Sequence, residues 1–232
     1  MNNNKIAIIG MAGIFPNAIN VDELWASLIE GQDLIHRNVS LYNNTFIAAY
    51  GKICDKYSFD NSFFAINNAE AKELDPQERK LLEVSYHALE VAGELNCDRS
   101  RAGIICGLNE NEYALNQYYR NEKYNFESIT NKLYNGSLAA NRVAYKLNLQ
   151  GPCFQVKATC ATGIVALHQA INILRNNEAD IMLVGTANIS YKDDGYLYVD
   201  GGITSKDGCA KALARDASGC VPGDGVAVLV LK

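Results

Sequence analysis

The sequence predicts an α/β fold, because short apolar runs of strand length alternate with longer stretches that carry helical periodicity or capping signals. Residues 5–10, 102–107, 153–157, 179–185 and 226–231 supply the strand-like runs, with KIAIIG and VAVLVL the plainest. The segment Asp75-Pro76-Gln77-Glu78 supplies the clearest helix start. The third observation is the stretch after Cys160, where residues 161–174 hold only Thr162, His168, Gln169 and Asn172 as polar side chains.

Taken in order, residues 5–10 form an isoleucine-rich run that ends in a glycine turn, so a buried strand feeding a loop at 10–16 is expected. Asn20 stands three residues before Glu23, a capping-box spacing, and Leu24, Trp25 and Leu28 recur at helical intervals before Gly31. A surface amphipathic helix follows. Asp75 offers a carboxylate N-cap, Pro76 occupies the first helical position, where no N–H is needed, and Glu78 sits at the third. Leu81, Leu82, Val84, Ala88, Leu89 and Ala92 then line one face up to Gly93. Residues 109–135 are polar and rich in Asn and Tyr, and periodicity assigns them no element. Residues 137–147 read as a helix, and Gln150-Gly151-Pro152 breaks the chain before the strand at 153–157. A helix as apolar as 161–174 must be covered on several sides, as one between two sheets would be.

Composition narrows the function. The chain has 232 residues, 48% of them hydrophobic, enough for a packed core. A net charge of -5 excludes a phosphate-binding surface spread over the whole molecule, so neither nucleic acid nor a membrane surface is an expected partner. The seven cysteines, at 54, 97, 106, 153, 160, 209 and 220, lack the paired C-x-x-C spacing of zinc or redox sites. They read as reduced intracellular thiols, and no metal site is expected. The opening MNNNKIAIIG is too brief for a signal peptide, and no run approaches the roughly 20 apolar residues needed to cross a bilayer. A cytoplasmic protein is the expectation. The chain closes at Lys232 directly after VAVLVL, which suggests a piece of something longer.

The candidate chemistry lies in VKATCATGIVALH, which puts Cys160 between a strand and a long helix. A helix N-terminus presents unpaired N–H groups and about half a positive charge, which favours a thiolate over a thiol. The same groups can hold the oxyanion formed when a thioester carbonyl is attacked. A buried cysteine among small residues can also be inert packing.

These segments together resemble the N-terminal half of a β-ketoacyl synthase, closest in texture to the ketosynthase domains of modular polyketide synthases and related fatty-acid synthases. KIAIIGMAGIFPNAINVDELWASLIEG resembles the family's opening, and FDNSFFAINNAEAKELDPQERKLLEVSYHALEVAGE its D-P-Q signature. GPCFQVKATCATGIVALHQA is similar to its active-site segment, with Cys160 on the nucleophile, and GGITSKDGCAKALARDASGCVPGDGVAVLVLK to the stretch that ends the first half. The resemblance implies that residues 1–232 are one domain, the first half of a five-layered αβαβα thiolase-like fold, paired into a homodimer. It also implies an acyltransferase in which Cys160 takes an acyl group from the phosphopantetheine arm of an acyl carrier protein, with no cofactor bound directly. A pair of histidines from the second half then assists decarboxylation of a malonyl-type extender, and the carbanion attacks the acyl-enzyme. Tyr113, Tyr118, Tyr119, Tyr124 and Tyr134 fall where the family builds its subunit contact and acyl pocket.

Departures from the family pattern are specific. His36, His87 and His168 lie outside its histidine motifs, and packing is the expected role of the last two. The isolated chain is therefore expected not to complete a condensation. Polyketide-type members read D-T-A-C-S-S where this chain has Lys157-Ala158-Thr159-Cys160-Ala161-Thr162. Lys157 could act on the thiol by its charge, although strand alternation would set it on the face away from Cys160.

Other readings fit less well. Gly10 and Gly13 lack the dinucleotide-binding G-x-G-x-x-G spacing, and Val221-Pro222-Gly223-Asp224-Gly225 reads as a turn instead of a phosphate loop. A nucleophile-elbow hydrolase would place Gly at 158 and 162. A rival of another class is a non-catalytic dimerisation or scaffold module retaining half of the fold, for which Cys160 would be dispensable.

Overall fold

The apolar runs become strands and the capped stretches helices in the computed structural model, which describes residues 5–42, 45–96, 98–120, 127, 138–192 and 194–232. The strands are β1 (Ile8–Ile14), β2 (His36–Arg37), β3 (Phe46–Ile47), β4 (Ala49–Tyr50), β5 (Ala102–Leu108), β6 (Cys153–Gln155), β7 (Ile181–Asn188), β8 (Tyr196–Leu197) and β9 (Gly225–Leu231). The helices are α1 (Val21–Ile29), α2 (Asn68–Glu73), α3 (Pro76–Val91), α4 (Glu112–Arg120), α5 (Ala139–Lys146) and α6 (Thr162–Arg175). No helix among the described residues is long and apolar enough to cross a membrane. The chain divides into two units, one of Met1–Gly13, Lys56–Ile189 and Val226–Lys232, the other of Ile14–Asp55 and Ser190–Gly225.

The first unit is built on a five-stranded sheet in the order β1-β9-β7-β5-β6. β5 runs parallel to both neighbours, with Ile104 opposite Cys153 and Ile105 opposite Val184. Parallel strands are covered on both faces, which is why β5 and β7 are almost continuously apolar and buried. On one face α6 lays Ala166, Ala170, Ile173 and Leu174 against Ile105, Met182, Val184 and Leu231. On the other, α3 crosses β7 where Gly185 leaves room, since a Cβ there would come within 2.7 Å of Leu81 Cδ1. α5 packs beside α3 and against β5 and β6. The result is an α/β/α sandwich, the three layers that the first half of an αβαβα fold contributes.

Differences from expectation have local causes. β1 starts at Ile8 and runs through both glycines to Ile14, so the expected loop at 10–16 is strand over most of its length. Sheet pairing outweighs glycine's weak strand preference there, and Gly10 is needed because a Cβ would lie 2.6 Å from the Ala88 carbonyl oxygen of α3. The closing apolar strand, β9, is interior, with β1 and β7 beside it. α6 begins at Thr162 and is buried along one side only; Ile164, on its outer side, is 71% exposed. The second sheet expected to cover it is not among the described residues. Part of the unassigned 109–135 stretch is helical, as α4. Tyr124 and Tyr134 lie outside the described residues, as does Ser137 at the start of the helix expected at 137–147.

In the second unit, β2 pairs antiparallel with β4, and β3 with β8. α1 starts as expected, with Asn20 Oδ1 accepting from the Glu23 N–H at 2.8 Å and Glu23 Oε2 accepting from the Ile19 N–H at 2.9 Å. None of its residues is buried, and Trp25 is 63% exposed. The Pro222-Gly223 turn lies against Gly51, whose carbonyl accepts from the Asp224 N–H at 2.6 Å. A Cβ on Gly223 would sit 3.1 Å from Gly51 Cα, so this glycine serves backbone approach and not a phosphate. The buried Asp224 carboxylate accepts from Tyr50 Oη and from the Ser190 N–H, both at 3.0 Å, tying the two segments of the unit together.

The β5–β6 contact can be tested at Gly103, where a Cβ would lie 2.3 Å from the Pro152 carbonyl oxygen, a backbone atom that cannot swing aside. Gly103→Ala is expected to lower unfolding free energy by about 2 kcal/mol or more, read from the urea midpoint. An unchanged midpoint would mean that the two strands are not packed this closely.

Candidate functional site

The segment that carries Cys160 leaves the sheet in steps. The Val156 N–H donates to the Cys106 carbonyl at 2.9 Å, holding the chain beside β5 for one residue beyond β6. The strand has nevertheless ended at Gln155, two residues earlier than expected. Thr159–Ala161 then form a single 3₁₀ turn, closed by the Ala161 N–H on the Ala158 carbonyl at 3.0 Å, and α6 follows. Cys160 lies in this turn and is exposed. Ala161, the N-cap of α6, offers no side-chain acceptor, so no side chain at the cap competes for the first-turn amides. Cys160 therefore stands at the end of the helix where N–H groups and the positive end of the dipole gather.

The other described thiols differ in setting. Cys106 is buried in β5, and burial pushes its thiol far up; burial also raises Cys153. Cys54 and Cys220 are exposed and Cys209 is half-buried, all in the second unit. Among the described residues, no three His, Cys, Asp or Glu side chains gather as a metal ion would require.

Lys157 pairs with a carboxylate, in keeping with the expectation that it does not act on the thiol. Its ammonium pairs with the Glu110 carboxylate just beyond β5, and both side chains are exposed. The alternation argument fails here because the strand stops before Lys157. Such an exposed pair contributes at most about 1 kcal/mol. His87 and His168 do not pack in the core: both are exposed, His87 Nδ1 3.3 Å from Glu90 Oε2 and His168 Nε2 3.0 Å from Asn172 Nδ2. Tyr113 donates to the Lys72 carbonyl at 2.8 Å and lies under Arg79, while Tyr118 and Tyr119 meet edge to face.

Beside the strand that leads to Cys160 is a cavity of about 280 Å³, lined in part by Asp75, Gln77, Glu78, Asn109, Glu110 and Lys157. Its polar wall is the start of α3. Asp75 caps the helix, accepting from the Gln77 N–H at 2.8 Å and from Gln77 Nε2 at 3.1 Å. Gln77 Oε1 in turn accepts from the Asn109 N–H at 3.1 Å, so this side chain joins the helix start to the end of β5. Glu78 does not close a capping box. It reaches Arg142 of α5 at 2.9 Å, and Arg142 also binds Glu70 of α2 at 2.7 Å. Burial raises the Glu78 carboxyl, and the Arg142 charge opposes that rise.

Two residues that sequence reasoning passed over shape the site. Gly107 lets the turn approach β5, because a Cβ there would lie 2.0 Å from Thr162 Cγ2. Thr162, given no structural role by the sequence, bonds back into the turn. The one sequence signal for Gly107 was its place at the end of a buried strand, where glycine often marks close approach of another element.

Comparison with known proteins bears on this geometry. The family model described as "Beta-ketoacyl synthase, N-terminal domain" matches residues 3–232. The chain is 31% identical to Polyketide synthase PksL of Bacillus subtilis over 98% of its length, which is 5% of that protein. It is 35% identical to Polyketide synthase ThaG of Burkholderia thailandensis, over 98% of the chain and 4% of the relative. Among solved structures, ketosynthase twelve from the bacillaene polyketide synthase of Bacillus amyloliquefaciens superposes with a TM-score of 0.88 at 30% identity, covering 99% of this chain and 41% of that one. The chain thus spans less than half of the solved ketosynthase chain and a small part of these curated relatives.

The start of α3 has its own pH dependence. Burial holds the Asp75 carboxyl at about 6, above the ordinary value, against the lowering effect of its bonds from Gln77. Because the folded value exceeds the unfolded one, this group's contribution is fully present below about pH 3.9 and is lost as pH rises through about 6. Asp75→Asn keeps an acceptor for the Gln77 amide but does not ionise. Its stability relative to wild type is expected to improve by about 2–3 kcal/mol between pH 4 and pH 7 in urea titrations. A difference that stays flat across that window would contradict the assignment.

Proposed function

Because this chain belongs to the β-ketoacyl synthase family, matching its N-terminal domain, we propose that it provides the acyl-accepting half of a polyketide-type condensing site, with Cys160 as nucleophile. The observation that carries this reading is the position of Cys160: exposed, in a tight turn, at the amide end of a helix whose cap offers no competing side chain.

The chemistry follows from that placement. The Cys160 thiolate attacks the carbonyl carbon of an acyl thioester presented on the phosphopantetheine arm of an acyl carrier protein. A new C–S bond forms, the carbonyl oxygen carries the negative charge of the tetrahedral intermediate, and the carrier's thiolate leaves with the electron pair of the broken C–S bond. The positive end of the α6 dipole is suited to favour that negative charge. The acyl group then waits on Cys160. Loss of CO₂ from a malonyl-type extender leaves a carbanion, which attacks the acyl carbonyl; the new C–C bond forms, the acyl C–S bond breaks, and its electron pair leaves with Cys160 as the free thiolate. The histidines for the decarboxylation come, on this reading, from the second half of the fold, which also covers the exposed side of α6. His87 and His168 are engaged on the surface with Glu90 and Asn172. The working enzyme is a homodimer of complete synthase domains, served by a carrier protein.

Exposure of the chain to a short acyl thioester, followed by peptide-level mass spectrometry, is expected to add one acyl mass at Cys160 and none at Cys54 or Cys220. Cys160→Ala is expected to abolish that loading with a stability change within about 0.5 kcal/mol, since the side chain is exposed. If the variant took up the same label at the same rate, or if Cys160→Ala left a complete synthase fully active, the scaffold reading would replace this one.

A further inference from the structure

The least relaxed backbone near Cys160 belongs to the residue before it. Thr159 is held at φ +49°, in the left-handed region, where a β-branched side chain is a genuine outlier. Such conformations persist only where surrounding contacts over-determine them. The Thr159 hydroxyl does not provide that constraint, as it donates to the Ala158 carbonyl at 2.8 Å.

The constraint comes from the far side of the cysteine. Thr162 Oγ1 accepts from the Ala158 N–H at 2.9 Å and donates to the Thr159 carbonyl at 2.7 Å. One hydroxyl therefore ties down the two peptide groups that enter the turn. Its own position is set by the sheet, because the Thr162 methyl fills the notch at Gly107, where a Cβ would lie only 2.0 Å away. The Thr159 carbonyl also receives the Thr162 N–H, so it keeps a partner without the hydroxyl. Among the described bonds the Ala158 N–H has the Thr162 hydroxyl as its acceptor, and this bond is what the side chain alone supplies.

We propose that Thr162 is a positioning residue for Cys160. Its methyl registers against Gly107 and its hydroxyl clamps the Ala158–Thr159 backbone, so that the sulfur is presented at the amide end of α6. The proposal rests on the reading of Cys160 as acyl acceptor for its functional meaning, but the clamp itself can be tested without any acyl group.

Thr162→Val keeps the branched shape and the methyl in the notch and removes the hydroxyl. Thr162→Ser keeps the hydroxyl and removes the methyl. Alkylation of Cys160 by iodoacetamide is followed by peptide mass spectrometry in the intact chain, with Cys54 and Cys220 as internal references. Loss of one hydrogen bond is expected to slow Cys160 in Thr162→Val by about tenfold, leaving the reference cysteines unchanged, while Thr162→Ser, which keeps the hydroxyl but loses the methyl that registers it, falls between Thr162→Val and wild type. Equal rates in Thr162→Val and wild type would overturn the proposal, and so would a Thr162→Ser variant slowed as much as Thr162→Val. Should Thr162→Val fail to melt cooperatively, amide exchange at Ala158 decides: protection in wild type and Thr162→Ser supports the clamp, and rapid exchange in both refutes it. A wild-type Cys160 that shows this dependence on Thr162 yet takes no acyl group from a thioester would defeat the acyl-acceptor reading and leave the clamp standing.

Discussion

The distance between α6 and β5 at Gly107 is the constraint on which the site depends. A helix normally stands off a sheet by the thickness of the side chains between them, but here the missing Cβ admits the Thr162 methyl at a separation no other residue at 107 would allow. That approach brings the first turn of α6 against the end of β5, and the segment from Val156 to Ala161 must turn within the space that remains. A 3₁₀ turn and a left-handed Thr159 are the outcome. Cys160 lies in that turn, two residues from the contact, and is exposed.

Around this point the polar groups are organised by the opposite face of the sheet. Asp75 and Gln77 bind the start of α3 to the backbone beyond β5, and Arg142 joins α5 to α2 and α3 through Glu70 and Glu78. Burying these carboxyls raises Asp75 and Glu78, a cost that their hydrogen bonds and the Arg142 charge offset in part. The cavity beside β6 is consequently polar on the α3 side. Lys157 and Glu110 close its rim as an exposed pair, leaving the thiol without that cation as a direct partner.

The three-layered first unit explains why α6 looks apolar all round in sequence yet is covered on one side. Ala166 and Ala170 are small because they lie against β5 and β7; Ile164 is apolar on a side that nothing in the described residues covers. The bacillaene ketosynthase that superposes on this chain at 30% identity is more than twice its length.

The primary structure was enough for the strands of the main sheet and for α1, α3, α5 and α6, but not for the short strands β2, β3, β4 and β8 or for α2 and α4. The runs at 102–107 and 226–231 were legible as strands and Asp75-Pro76 as a helix start, because apolar runs and helix capping are local signals carried by neighbouring residues, whereas the run at 5–10 becomes strand only from Ile8, which is 56% exposed. The place of Cys160, between a strand and a helix, was legible for the same reason. What the tertiary structure alone decided was the length of β6, the ion pair that takes up Lys157, the surface placement of His87 and His168, and the contact of Gly107 with Thr162. Each of these depends on residues far apart in the chain being brought within a few ångströms, and neither periodicity nor capping carries information about distances across a sheet.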